Sequence, residues 1–216
     1  MIKTVDVTFG GQLFTLTSDR AVYWPAEGTL LLADLHFGKA ATFREFGLPV
    51  PAGTTAKDLL RLSTLIGFFN PRRLLVLGDL LHAKPAHAVT AQLLDWRQAH
   101  ARVAIELVVG NHDRHAGRPA AVLDIHVHAE PLIEHGIAFE HEPPADPALP
   151  TVAGHIHPTV RLTDFDGSGV RVPCFVVDEK RMIVPAFGSF TGGWNTDRAA
   201  GRRLYVSAAG RVVQLK

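Results

Sequence analysis

Thr29–His36 (TLLLADLH), Arg73–His82 (RLLVLGDLLH) and Val103–Asp113 (VAIELVVGNHD) share one pattern. Each is a short run rich in leucine, valine or isoleucine that stops at a cluster of acid, amide and imidazole side chains. Runs this short and this uniformly apolar suit strands covered on both faces. Between them, Thr54–Phe69 sets Leu59, Leu62, Leu65, Ile66 and Phe69 at helical spacing before Pro71, and Ala88–Ala101 carries Leu93, Leu94 and Trp96. Strand, helix, strand, helix, strand at this rhythm predicts βαβ units with parallel strands and right-handed crossovers.

Working outward, Thr4–Phe9 and Gln12–Thr17 alternate around Gly10-Gly11 and predict an opening β-hairpin. Beyond about residue 120 the rhythm changes to short strands separated by Gly, Pro and Asp turns, at 122–128, 131–134, 137–140, 151–154, 158–164, 170–177, 182–187, 203–207 and 211–215. These predict a second, largely antiparallel sheet packed on the first. The proline-rich loop Glu142–Pro150 (EPPADPALP) is too short to divide the chain, so one domain spanning 1–216 is expected.

The 216 residues, 47% hydrophobic and 20% charged, describe a globular chain able to bury its own core. With Cys174 alone, neither an internal disulfide nor a cysteine-based zinc site can form. No apolar run has the length of a membrane span, and the start carries no secretory pattern, so a cytoplasmic protein without membrane contact is expected. The formal charge of +1 hides segregation. Residues 124–166 hold Asp124, Glu130, Glu134, Glu140, Glu142, Asp146, Asp164 and Asp166 against Arg161 alone, whereas Arg198, Arg202, Arg203, Arg211 and Lys216 close the chain without an acid. Twelve histidines are the feature that bulk properties leave unexplained.

The strand ends explain part of that count. In open α/β sheets ligands bind beyond the carboxyl ends of the strands. There Asp34-Leu35-His36, Gly78-Asp79-Leu80-Leu81-His82 and Gly110-Asn111-His112-Asp113 meet, with Gly154-His155-Ile156-His157 ending a further strand and His141 following Gly136–Glu140. Any one cluster has an ordinary explanation as a cap or a satisfied histidine. Four in matching contexts point to a metal centre. Oxygen and imidazole donors suit Mn²⁺, Zn²⁺ and Fe. Two such cations repel and need a carboxylate between them, for which Asp79 on the central strand is the natural candidate. Water shared by two metals becomes a nucleophile near neutral pH, and the same ions absorb charge as a phosphoryl group is displaced in line.

Together these motifs, over residues 34–157, resemble the calcineurin-like metallophosphoesterases. Ala33–Thr55 (ADLHFGKAATFREFGLPVPAGTT) and Pro185–Gly193 (PAFGSFTGG) are similar to the ligase-associated DNA damage response endonuclease group, PdeM. The resemblance implies a four-layer α/β/β/α sandwich of two packed mixed sheets flanked by helices. It implies two divalent ions, Mn²⁺ first and Zn²⁺ or Fe as alternatives. Asp34, His36 and His157 would hold one; Asn111, His141 and His155 the other; Asp79 would bridge. His112 would face the substrate and protonate the leaving oxygen, with Asp113 fixing its tautomer. His126, His128 and His135 compete with His141, which is favoured because it too ends an apolar strand. His82 is placed behind the ligands. Lys39, Arg44 and Arg114 are candidates for substrate phosphates or ordinary surface charges. Gly188–Gly193 is either a close approach to ligand or a tight turn.

The activity implied is phosphodiester hydrolysis by a bridging hydroxide, in a nuclease acting on DNA in damage repair. By the same resemblance, partners would include a ligase, helicase or exonuclease. Near-neutral charge favours single-stranded or end-containing DNA over a long duplex groove. The alternatives are a small-molecule or cyclic-nucleotide phosphodiesterase and, with every expected ligand present, more remotely a noncatalytic interaction scaffold.

Overall fold

Two mixed β-sheets pack face to face in the computed structural model, which describes residues 2–84, 87–163 and 167–215. Asp164, which also ended a predicted strand, Asp166 and Lys216 lie outside the described residues. The first sheet has the spatial order β1 (Thr4–Phe9), β2 (Gln12–Thr17), β3 (Val22–Trp24), β4 (Thr29–Ala33), β5 (Arg73–Leu77), β6 (Ala104–Val108) and β7 (Ile125–His128). From β4 to β7 the strands are parallel, as the sequence predicts for the first three of them. The opening hairpin joins them antiparallel through β3, a strand of three residues that is too short to show a period in the sequence.

The buried strands sort their side chains by the two-residue repeat of the pleat. Leu30, Leu32, Leu74, Val76, Ile105 and Leu107 face the helices, while Leu31, Ala33, Leu75, Leu77 and Val108 face the other sheet. The helices are α1 (Lys39–Glu45), α2 (Thr54–Phe69), α3 (His87–Ala99) and α4 (Asn111–Ala116). Leu59, Leu62, Leu65 and Ile66 of α2 and Val89 and Leu93 of α3 complete that apolar layer.

The stretch 122–128, expected in the second sheet, divides instead. Ala121–Leu123 forms a 3-10 turn, and β7 pairs parallel to β6 at the edge of the first sheet. The crossover through α4 is long enough for a parallel return, and Ile125 then packs on the helical core.

The second sheet comprises β8 (Leu132–Glu134), β9 (Ile137–Glu140), β10 (Thr151–Ala153), β11 (Pro158–Thr163), β12 (Gly169–Val177), β13 (Arg181–Ile183), β14 (Trp194–Asn195), β15 (Arg203–Ala208) and β16 (Arg211–Gln214). Most of its pairings are antiparallel, as expected, and it is mixed because β10 runs parallel to both β9 and β13, and β14 runs parallel to β11. Among the described residues the α-helices all precede this sheet in the chain. Val160, Val172, Cys174, Val176, Leu204 and Val206 form an apolar cluster within the sheet itself.

Phe14, Trp24, Phe139 and Phe175 fill the space between the sheets, with Trp24 centred 5.4 Å from Phe14 and 5.5 Å from Phe139. At the start of β5, Arg73 ties the sheets together through two 2.7 Å bonds to Glu134 of β8. Truncating a fully buried ring leaves a void the close-packed surroundings fill only in part. Phe139→Ala is therefore expected to cost about 3–5 kcal/mol of stability, read as a lower denaturant midpoint.

Candidate metal centre

Parallel pairing carries the ends of β4, β5 and β6 to one edge, where backbone bonds lace the loops together: His36 donates to the Asp79 carbonyl (2.8 Å) and Phe37 to that of Leu80 (2.9 Å). Asp34, His36, Asp79, His155 and His157 all have φ between 48° and 67°. Residues with a Cβ enter this left-handed region at a cost of about 1–3 kcal/mol each, and such strain gathers at functional sites. Here it turns the chain abruptly at each strand end and points the side chains inward.

Two groups of donors result. In the first, Asp34 Oδ1 lies 3.2 Å from His157 Nε2, which is 3.4 Å from His36 Nε2. In the second, His141 Nε2 lies 2.8 Å from Asn111 Oδ1 and 3.1 Å from His155 Nδ1. Asp79 stands between them. Its Oδ2 is 3.6 Å from His36 Nε2, and its Oδ1 is 3.6 Å from His141 Nε2. Of the four histidines weighed for this place only His141 reaches it. His126 and His128 meet edge to face at the sheet edge, where His128 contacts Glu106 at 2.7 Å, and His135 pairs with Glu27 at 2.9 Å.

Hydrogen bonds set the tautomers. A carbonyl can only accept, so a ring nitrogen beside one carries the proton and the other nitrogen is a free donor of its lone pair. His141 Nδ1 faces the Leu77 carbonyl (3.2 Å) and His157 Nδ1 that of Gly192 (3.2 Å), leaving both Nε2 atoms aimed inward. Burial, then Lys39, His157, His112 and His82, press the His36 pKa down to about 2, so the ring is neutral, the form that binds cations. Paired ring nitrogens at these separations, beside a buried Asp34 Oδ1 with no hydrogen-bond partner, are electrostatically suited to a cation between them. Three donor sets come within reach of one ion: Asp34–His36–His157, Asp34–Asp79–His141 and His36–His82–His112.

Glycines make room for this packing. A Cβ at Gly78 would overlap the His141 ring, one at Gly110 would strike the Asp79 carboxylate, and one at Gly154 would lie 2.7 Å from Asp34 Oδ2.

His112 sits beside the first group, its ring 4.9 Å from that of His36 and stacked on His82 at 4.7 Å. Its amide donates to Asp79 Oδ1 (2.8 Å). The expectation that Asp113 fixes its tautomer is corrected: His112 Nδ1 bonds to the His82 carbonyl at 2.9 Å. The Asp113 oxygens instead accept the amides of Leu81 (3.1 Å) and Gly110 (3.0 Å), joining two of the loops. Burial raises its pKa against the pull of those donors. His82 is held down to about 4 by burial, His112 and Lys39. Lys39 is lowered by burial and raised by Asp79 and Asp34, which places its ammonium in their field. Arg44 and Arg114 are engaged elsewhere, with the Pro51 carbonyl (3.1 Å) and Glu130 (3.2 Å).

Other contributors are invisible in the sequence. Glu130, one of a run of acids, accepts the His141 amide. Gly188–Gly193 straps the ligand-bearing loops: Gly188 donates to the Asp34 carbonyl (3.1 Å) and Ser189 to buried Asp58 (2.9 Å). A Cβ at Gly193 would lie 2.7 Å from the His157 carbonyl. The close approach is thus to the loops themselves. Phe43 and Phe190, centred 5.6 Å apart, border the cluster, with Phe43 5.9 Å from His82.

No family profile and no curated protein sequence matches this chain. The crystal structure of Pseudomonas putida nuclease MPE does, with 40% identity over 99% of this chain and 100% of that one and a TM-score of 0.87. A phosphoesterase from E. coli, YfcE, aligns at 15% identity over 87% of this chain and 97% of its own, with a TM-score of 0.45. Two packed mixed sheets, aspartate and histidine clusters able to hold metal, and the extent of the match to MPE lead to one conclusion: the chain belongs to the calcineurin-like metallophosphoesterases, metal-dependent hydrolases of phosphoesters, in the family of that Pseudomonas nuclease.

Proposed function

We propose that this protein is a nuclease that hydrolyses phosphodiester bonds of DNA with two divalent cations, Mn²⁺ before Zn²⁺ or Fe. The observation that carries the reading is the Asp79 carboxylate, which turns one oxygen to each of two separate donor groups. Asp34, His36 and His157 would hold one ion and Asn111, His141 and His155 the other, with Asp79 shared. When bound, the ions supply a water of lowered pKa and neutralise charge on the phosphoryl oxygens. The chain itself supplies shape and a proton. His112 keeps a proton on Nδ1 against the His82 carbonyl and directs Nε2 away from that anchor; as the imidazolium, protonated on both nitrogens, it gives its Nε2 proton to the leaving oxygen and becomes the neutral Nδ1–H tautomer. Asp113 acts through the loops it joins.

A near-neutral surface suits short or unpaired strands better than a long duplex groove. A repair role, with a ligase, helicase or exonuclease as partner, a cytoplasmic setting and a single domain over 1–216 complete the proposal.

The test is turnover of single-stranded DNA, duplex DNA, a cyclic nucleotide and a nitrophenyl phosphodiester in Mn²⁺, Zn²⁺ and Mg²⁺. Single-stranded cleavage, with two ions per chain by elemental analysis, is expected. Turnover of the cyclic nucleotide alone would overturn the nuclease reading, and inactivity on all four would overturn the enzyme. His112→Ala is expected to lower kcat about 10²–10⁴-fold, with less loss for a substrate whose leaving group needs no proton.

A further inference from the structure

Arg20 is a charged side chain near the metal centre that the proposed chemistry leaves unused. It lies in the turn between β2 and β3, and the antiparallel register Val22↔Leu31 carries that turn to the level of Ala33, beside Asp34. The turn is braced: Thr17 Oγ1 accepts the amides of Ala21 (3.0 Å) and Asp19 (3.3 Å), and its carbonyl accepts that of Arg20 (3.3 Å). Arg20 is held there at φ 64°, a conformation a long side chain adopts only at a cost.

The half-buried side chain of Arg20 belongs to the lining of a small cavity, with His157, Pro158, Thr159, Thr191 and Gly192. Among the described residues it has no hydrogen bond or ion pair within contact distance. Asp19 and Asp58 attract it from farther away, while burial and the neighbouring Arg61 lower its pKa to about 10, still charged at neutral pH. Arg61 differs, because its charge is committed to Asp58 (3.2 Å), the Phe187 carbonyl and the Phe187 ring. Two cations side by side with one unpaired favour an anion between solvent and the cavity. The cavity, about 40 Å³, has room for about three waters that the oxygens of an anion would replace. His157 belongs to both the cavity and the metal cluster: it is one of the cavity's lining residues, and its Nε2 lies 3.2 Å from Asp34 Oδ1.

We propose that Arg20 and this cavity form a subsite for the phosphate next to the scissile one along a nucleic-acid strand. The inference rests on the phosphodiesterase reading above and names a specificity determinant of the same site. Guanidinium matches phosphate in two parallel bonds, and a phosphate one nucleoside away reaches past a single imidazole.

The test compares two substrates in Mn²⁺: dithymidine monophosphate, and the same dinucleotide carrying terminal phosphates at both ends. Both contain one scissile diester, and only the second offers a neighbouring phosphate on either side. Wild type is expected to prefer the second in kcat/KM by about tenfold or more. Arg20→Gly, which relieves the backbone while removing the charge, is expected to bring the preference to about threefold or less, and Arg20→Lys to an intermediate value. The ratio cancels any general loss of fold or metal. On longer single strands, Arg20→Gly is also expected to flatten the logarithmic salt slope of KM by about 0.7. A wild-type preference near one with both substrates cleaved, or an Arg20→Gly preference equal to that of wild type, would overturn the subsite alone. No wild-type turnover of either would overturn the phosphodiesterase reading and the subsite with it.

Discussion

Asp79→Asn is expected to lower phosphodiester turnover in Mn²⁺ on the order of 1000-fold, about 4 kcal/mol of transition-state stabilisation. The substitution keeps the shape of the side chain and an oxygen able to accept the His112 amide, so the loops remain joined. What it removes is the charge shared between the two donor groups. A second signature separates this from a folding defect. Asp34 and Asp79 are buried with oxygens within 4.8 Å of each other, an arrangement that is repulsive without cations. With metal chelated, Asp79→Asn is therefore expected to melt a few degrees higher than wild type, a gain of about 1 kcal/mol. The rise in melting temperature on adding Mn²⁺ should shrink, because less metal binding is linked to the folded state. Wild-type turnover, or an undiminished Mn²⁺ shift, would show that Asp79 is no bridge.

Gly78→Ala is the second large effect, and it acts through space. Gly78 has φ +74°, and its missing Cβ is where the His141 ring lies. A methyl group there costs about 1–2 kcal/mol in backbone strain and about 1–3 kcal/mol in overpacking. The ring must turn away, losing its bond to Leu77 and the alignment of Nε2 with Asn111. About half the bound Mn²⁺ and nearly all turnover should disappear, with a lower denaturant midpoint. Gly110→Ala, pressing on Asp79 from the neighbouring loop, is expected to behave alike. Full metal content in Gly78→Ala would mean His141 does not bind through the geometry described.

The parts legible in the sequence are those written locally. TLLLA, RLLVL and AIELV show themselves as buried strands because both faces of each are covered, and parallel pairing sends their polar ends to one edge. β3 and β7 were less legible, since three or four residues carry no period and their place depends on which neighbour offers a free edge. Asp34, His36, Asp79, Asn111, His155 and His157 stand in the motifs themselves, whereas His141 was separable from His126, His128 and His135 only by an argument about strand ends.

Residue types, their order and strand context thus determined by themselves the sheet, the clusters and the class of chemistry, because hydrophobic period and donor type are properties of short segments. Tertiary structure alone decided which groups hold the side chains in place. His112 is oriented by the carbonyl of His82 and not by Asp113, and His157 by that of Gly192. Every residue has a carbonyl, so none marks itself in a sequence. The same holds for Arg20: a charge in a turn reads as surface until the packing shows that, among the described residues, its guanidinium has no hydrogen bond or ion pair and that His157 lines the same cavity.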